Sequence, residues 1–309
     1  MKILGVNFSH NCSFAYIENN ILKEYYEEDR FNKKKNFRPS HPFFVSNYKY
    51  QVLKKFKNIT FDCVAISSFG RYGSISDFEI YQGLLKQVKH KTHYFNWQRH
   101  HIYHAVCGYY FSPFKKAIAI VRDGGGEQIK HSFQAIDSIY YIDKKEVKPF
   151  WKLFSNRRLN WLDEKINPNK KERYFKHQEA DCYLTNQSVG GYYYLVAKDK
   201  AGFGDNGEGQ LMGLAAYAGK PINEELKEAV EIGREAQEKT LRECIELIMT
   251  AKEYSSCKNI ILTGGYHLNC SNNFKLVKIF PELNFFVDPI PYDGGTAVGA
   301  ALYYENYKK

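Results

Sequence analysis

The sequence predicts an α/β protein folded as two lobes around a central cleft. Three observations predict it. Apolar β-type runs alternate with helical stretches along all 309 residues, the run "KAIAIVRDGGGEQ" opens a second half much as "KILGVNF" opens the first, and glycine-rich turns sit where strands hand over to helices. The division falls near residue 115, giving an N-terminal lobe 1–115 and a C-terminal lobe 116–309.

In chain order, "KILGVNF", "SFAYIEN" and "ILKEYYEED" read as three consecutive strands, with "ENN" supplying turn residues between the second and third. "FDCVAISSF" reads as a buried strand, and Trp97 to Tyr110 as a helix that stops before Ser112-Pro113. After the strand of the second half, a polar and basic stretch from about 137 to 178 reads as an insertion. Its aromatic content sets it apart from a disordered tract. Asn223 reads as the N-cap of a helix running to about Tyr254, with Leu226, Val230, Leu241, Ile245, Ile248 and Met249 on its apolar side. The end reads strand, helix, strand, helix: "KNIILTGG", "HLNCSNNFKLVKIF", "LNFFVDP" and "GTAVGAALYYENY".

Composition narrows the function classes. With 44% hydrophobic and 16% aromatic residues the chain can bury a sizeable core. It has no run of eighteen apolar residues and opens without a signal-peptide pattern, so a cytoplasmic protein without a membrane span is expected. Seven cysteines, with no Cys-x-x-Cys pair, argue against a disulfide framework and a thiolate zinc site. The net charge of +10 is uneven: from Lys144 to Lys176 eleven Lys/Arg face four Asp/Glu. A solvated basic surface and a nucleic-acid contact both fit that run.

The chemistry concentrates in a few blocks. In "HHIYH", three of the ten histidines fall within five residues. On a helix His100 and His104 share a face while His101 points elsewhere. That spacing can hold a divalent metal, but no Glu follows the first His as a zincin helix requires, and packing histidines fit the residues as well. Asp123 ends a strand before Gly124, Gly125 and Gly126, and Asp293 precedes a helix. Both are positions from which a carboxylate can join two imidazoles, and both equally suit turn or cap aspartates. "DGGGE", "GEGQLMGLAAYAG", "LTGGYHLN" and "YDGGTAVGAA" are glycine-rich turns of the kind that offer backbone amides to phosphate, which suggests a nucleotide cleft. "GFGDNG" matches a dinucleotide fingerprint in letters only, because no strand precedes it.

Eight blocks carry a family resemblance: "ILGVNFSHNCSFAYIENNIL", "EEDRFNKKKN", "HHIYHAVCGYYFSPF", "DGGGE", "SVGGYY", "EGQLMGLAAYAGKP", "LTGGYHLNCSNN" and "PYDGGTAVGAAL". In this order they resemble the O-carbamoyltransferases of the nodulation and aminoglycoside-antibiotic type, in their N-terminal, tRNA-threonylcarbamoyl-transferase-like domain. The resemblance implies the actin and sugar-kinase (ASKHA) two-lobed fold and a divalent metal, iron with zinc or manganese as alternatives. The metal would be held by His100, His104 and Asp293, with Asp123 as a fourth ligand. It further implies the AMP moiety of carbamoyl-adenylate in the cleft, with Gly124, Gly125, Gly126, Gly213, Gly264, Gly265 and Asn269 as candidate nucleotide contacts. His10 then matches a histidine near the carbamoyl group.

Two departures qualify the match. Asn11 stands where the family usually has an aspartate, removing a charge beside His10. The resemblance spans the family's first domain alone, so the carbamoyl-adenylate-forming domain is expected to be absent and a separate adenylating protein is expected as partner. The expected activity is carbamoyl transfer to a hydroxyl of a small-molecule, sugar, nucleotide or nucleic-acid acceptor. The alternative is a non-catalytic nucleotide-binding subunit of a carbamoylation complex. Trp151, Arg157 and Trp161, in the basic aromatic stretch, are candidate acceptor contacts because such side chains stack on sugars and bases.

Overall fold

The computed structural model describes residues 1–37, 39, 48–68, 82–129, 133–156, 173–185, 187–205 and 207–308. The opening meander is β1 (Lys2–Asn7), β2 (Ser13–Glu18) and β3 (Ile21–Glu27). Asn19 and Asn20 turn the second hairpin at φ 51° and 62°, the left-handed pair that a two-residue turn between twisted strands needs and that Asn tolerates. A one-turn helix α1 (Asp29–Asn32) follows, then β4 (Phe61–Ser67) and β5 (His90–Phe95), giving a five-stranded sheet of order β3-β2-β1-β4-β5. β1 pairs antiparallel with β2 and parallel with β4.

Helix α2 (His100–Phe111) carries the chain to the second sheet. It stops at Ser112, whose extended backbone suits a residue before proline. The second sheet contains β6 (Lys116–Arg122), β7 (Gln128–Ile129), β8 (Phe133–Asp143), β9 (Val147–Asn156), β10 (Arg173–His177) and β11 (Ala180–Thr185). Helices α3 (Gly190–Lys200), α4 (Glu208–Leu214) and α5 (Lys227–Tyr254) lead to β12 (Asn259–Thr263), α6 (Cys270–Ile279), β13 (Asn284–Val287) and α7 (Thr296–Asn306). The order β10-β11-β9-β8-β6-β12-β13 contains the same core as the first sheet: an antiparallel meander with two parallel strands beyond its first member. The duplication is one of topology, and no repeat of sequence marks it.

Two helices form the layer between the sheets. Ile3, Ala15, Ile17, Cys63 and Ala65 of the first sheet and Ala117, Ala119, Val121 and Ile142 of the second close on α2 and α7. Small side chains on these inner faces let the helices approach closely. The outer faces are bulkier: Leu4, Val6, Phe14 and Ile66 form one outer core, and Ile118, Ile120, Ile260 and Leu262 pack under α3 to α6. Strands covered on both faces read as unbroken apolar runs, which made them legible in the sequence.

Some expectations need correction. The 137–178 stretch read as an insertion contains most of β8 and all of β9, central members of the second sheet. Asn223 caps a short 3-10 turn, its side chain accepting from the Glu225 amide, and α5 begins only at Lys227. Leu226 and Met249, expected on the apolar side of that helix, are 40% and 56% exposed; the buried stripe runs through Ala229, Val230, Gly233, Ala236 and Ile248. Small residues, which carry little hydrophobic signal, line much of it. Among the described residues no helix is long and apolar enough to cross a membrane.

Candidate metal centre

The central strands of both sheets and both interlayer helices converge on one point. The first strand β1 ends at Asn7 and leads into Ser9 and His10, and β6 ends at Arg122 just before Asp123. Helix α2 presents His100 and His104 in its first turns, and Asp293 opens the 3-10 turn that precedes α7. Such convergence of strand ends and helix starts is where α/β folds place ligands.

The resulting cluster is tight and dry. One donor atom from each of His100, His104, Asp123 and Asp293 lies within 4.8 Å of the other three, and all four residues are buried. His100 Nε2 is 3.2 Å from His104 Nε2, 3.4 Å from Asp123 Oδ2 and 3.5 Å from Asp293 Oδ1. His104 Nε2 is 3.7 Å from Asp293 Oδ1. Two imidazole nitrogens bound to one ion at tetrahedral geometry stand roughly 3.3 Å apart, close to the separation seen. Two imidazoles facing each other through Nε2, flanked by two carboxylates, form a His₂-carboxylate donor set, and the residues fit a divalent ion of the iron, zinc or manganese type.

The buried histidines and aspartates of the cluster stabilise one another's charge. Burial, the largest influence on His100, opposes its charge, but Asp293 and Asp123 outweigh it and push its pKa up to about 10. Burial and the neighbouring Asp293 both oppose ionisation of Asp123, yet the two histidines hold it down at about 2. Asp293 is likewise held well below the usual carboxylate range, burial being overcome by His10 and His100. His101, the third histidine of the block, turns away. Its Nδ1 meets Ser138 Oγ at 2.7 Å, and burial pushes its pKa down to about 4.

His10 sits at the edge of this cluster, half exposed, with Nε2 3.7 Å from Asp293 Oδ2. Asn11 Oδ1 is 2.7 Å from His10 Nδ1, so an uncharged side chain stands against that ring nitrogen. Ser9, which the sequence reading passed over, places its Oγ in a very short hydrogen bond with Asp293 Oδ2, and Asn7 Oδ1 holds the Ser9 amide at 3.0 Å. Adjacency to His10 in "SHNCS" was the one signal for it.

The glycine candidates divide. Gly124, Gly125 and Gly126 form the turn from β6 to β7 beside Asp123, and a Cβ on Gly126 would stand 2.4 Å from the His101 ring. Gly264, at φ 92°, lies so near β6 that a Cβ would stand 2.1 Å from the Arg122 carbonyl oxygen. The Gly265 amide donates to Asp123 Oδ1 at 3.1 Å. These two glycines therefore lie against Arg122 and Asp123 at the end of β6. Gly213 is exposed within α4, away from any close contact. Asn269 is buried and caps α6 by accepting from the Asn272 amide, while its side-chain amide pairs with Gln237 and Tyr194. Trp151 packs on the outer core of the second sheet beside Tyr183. Arg157 and Trp161 lie outside the described residues.

Comparison with known proteins bears on the family and the fold. A family described as "Carbamoyltransferase N-terminus" matches residues 12–244 and 234–302. An uncharacterized protein of Methanocaldococcus jannaschii is 25% identical over 322 residues, covering 97% of this chain and 56% of that protein. A second, from Synechocystis, is 24% identical over 222 residues, covering 66% of this chain and 35% of its own length. The chain thus spans about half or less of these relatives. Among solved structures, full-length HypF in its phosphate- and nucleotide-bound form aligns with 98% of this chain and 55% of its own at a TM-score of 0.59 and 13% identity. A ROK family glucokinase from Streptomyces griseus, in complex with glucose and AMPPNP, aligns at 0.55 and 11% identity, covering 99% of this chain and 100% of its own. These likenesses establish the fold as the two-lobed actin and sugar-kinase architecture. With its family match running through both lobes, the chain belongs to the carbamoyltransferase N-terminus family.

Proposed function

We propose that this chain transfers a carbamoyl group from carbamoyl-adenylate to a hydroxyl of a sugar, nucleotide or nucleic-acid acceptor. The observation that carries the reading is the buried His100, His104, Asp123 and Asp293 set in the cleft of a carbamoyltransferase-family chain. These four residues would hold a divalent ion, iron first with zinc or manganese as alternatives. Bound there, it supplies positive charge against phosphate and carbonyl oxygens. Two proteins of the same fold hold nucleotides, which supports the AMP moiety lying in this cleft near Gly124 to Gly126 and Gly265.

The acceptor oxygen forms a bond to the carbamoyl carbon, the bond from that carbon to the AMP oxygen breaks, and AMP leaves with the electron pair. The acceptor proton has to go to a base at the cleft mouth. His10 is the half-exposed imidazole there, set between Asn11 Oδ1 at 2.7 Å from Nδ1 and Asp293 Oδ2 at 3.7 Å from Nε2, and it is the group that would take the proton. An adenylating activity as the source of carbamoyl-adenylate belongs to the same proposal.

The test is metal content and nucleotide binding together. Protein purified without oxygen is analysed for metals and titrated with ATP and AMP, beside His100→Ala/His104→Ala. About one metal per chain, lost in the double variant together with nucleotide affinity, supports the reading. Neither metal nor nucleotide binding would overturn it and leave a non-catalytic partner subunit.

A further inference from the structure

Behind the candidate metal centre lies a second buried charge cluster that the reaction does not use. Lys152 of β9, fully buried, reaches across the second sheet to Glu127, whose Oε1 is 2.5 Å from its Nζ, and sits 5.4 Å from the Tyr140 ring centroid. The other carboxylate oxygen of Glu127 accepts the backbone amide of His101 at 3.1 Å. The first amides of a helix have no partner within it, and Arg99, at the N-cap of α2, contributes no side-chain bond. Glu127 therefore caps α2 from a different element, and its negative charge lies at the positive end of that helix.

The placement of this cap matters. Glu127 follows Asp123 in the same short turn, and that turn is fastened to β8 through Gly126 N to Ala135 O at 2.7 Å and Ala135 N to Glu127 O at 2.9 Å. Gly126 lies against the His101 ring with no room for a Cβ. One rigid turn thus carries a carboxylate ligand at one end and, at the other, the cap of the helix bearing both imidazoles. We infer that Glu127 and Lys152 are a positioning pair that fixes His100 and His104 relative to Asp123, with Lys152 holding the Glu127 carboxylate against the end of α2. The inference rests on the metal reading above.

Removing one partner would strand a buried charge, whereas removing both is often neutral for stability. The experiment accordingly uses Glu127→Gln/Lys152→Met, together with Glu127→Asp, which keeps the charge and shortens the reach. Co²⁺ affinity is measured by competition with a chelator, and the cobalt absorption band reports ligand geometry. The expected result is a loss of affinity of about tenfold to a hundredfold, with an altered band, in protein that melts like wild type. Folded variants that bind Co²⁺ with wild-type affinity and an unchanged band would overturn the positioning role. If neither variant folds, amide exchange in the unmodified metal-free chain decides: a protected His101 amide supports the pair, and free exchange overturns it. A wild-type chain that takes up no Co²⁺ would instead sink the metal reading, a separate outcome.

Discussion

Replacing Gly299 by alanine should disrupt the proposed metal centre from a distance. Gly299 lies on α7 where that helix crosses α2, and a Cβ there would stand 1.9 Å from the Tyr103 carbonyl oxygen and 2.5 Å from its carbon. Ordinary contact begins near 3.4 Å, so the helices would have to part by about 1.5 Å. The far side of α7 offers no retreat, because β1 is pressed against it and a Cβ on Gly5 would stand 1.9 Å from the Ala297 carbonyl oxygen. Tyr103 adjoins His104, and α7 follows directly on Asp293, so the movement separates two halves of the ligand set. Metal sites tolerate roughly 0.2 Å, several times less than this displacement. Overpacking costs about 1–3 kcal/mol, so Gly299→Ala should fold but melt about 2–5 °C lower. Its Co²⁺ affinity should fall at least about tenfold. Thermal melts and chelator competition on the same sample measure both. A variant with wild-type melting and wild-type affinity would refute the wedge and the coupling drawn from it.

Three further outcomes are expected. Arg122 is fully buried and donates to Asp137 at 2.8 Å, to Glu243 at 2.9 Å and to the Thr240 carbonyl at 2.7 Å. Arg122→Met strands two carboxylates and should cost about 3–5 kcal/mol in urea unfolding; a loss below about 1 kcal/mol would contradict the network. His267 is buried with Nδ1 2.9 Å from Asn273 Oδ1, and burial pushes its pKa down to about 3. A depressed histidine stabilises the fold fully above its unfolded pKa of about 6.5 and loses that contribution as pH falls towards 3, by about 1.4 kcal/mol per pH unit. His267→Gln should therefore narrow the stability gap between pH 7 and pH 4 by about 3 kcal/mol, and an unchanged pH profile would count against it. Gly213→Ala, in an open position within α4, should raise stability by about 0.5–1 kcal/mol. A simultaneous loss of AMP binding would place Gly213 at the nucleotide, and unchanged binding would remove it.

The sequence alone determined what local patterning can encode. β1, β2, β4, β6 and α2 were legible because strands buried on both faces are continuous apolar runs and because Ser112-Pro113 stops a helix, and β3 because the Asn19-Asn20 turn precedes it. His100 and His104 were legible as a pair because a helix sets four-residue neighbours on one face. Short or mixed elements escaped: β5, "HKTHYF", is mostly polar at an edge of its sheet, and β10 and β11 alternate weakly. Tertiary structure decided everything that depends on distant segments meeting. Lys152 reads as one more cation in a basic run, yet the fold buries it against Glu127, 25 residues away. Gly264 and Gly265 read as a phosphate turn, and only the fold shows that Gly264 also lies against Arg122 and that the Gly265 amide also donates to Asp123, while Asn269, read the same way, caps α6. Asp123 and Asp293 stand 170 residues apart in the chain and within 4.8 Å through their donor atoms. No local pattern specifies that approach, because it is set by two sheets closing on a shared pair of helices.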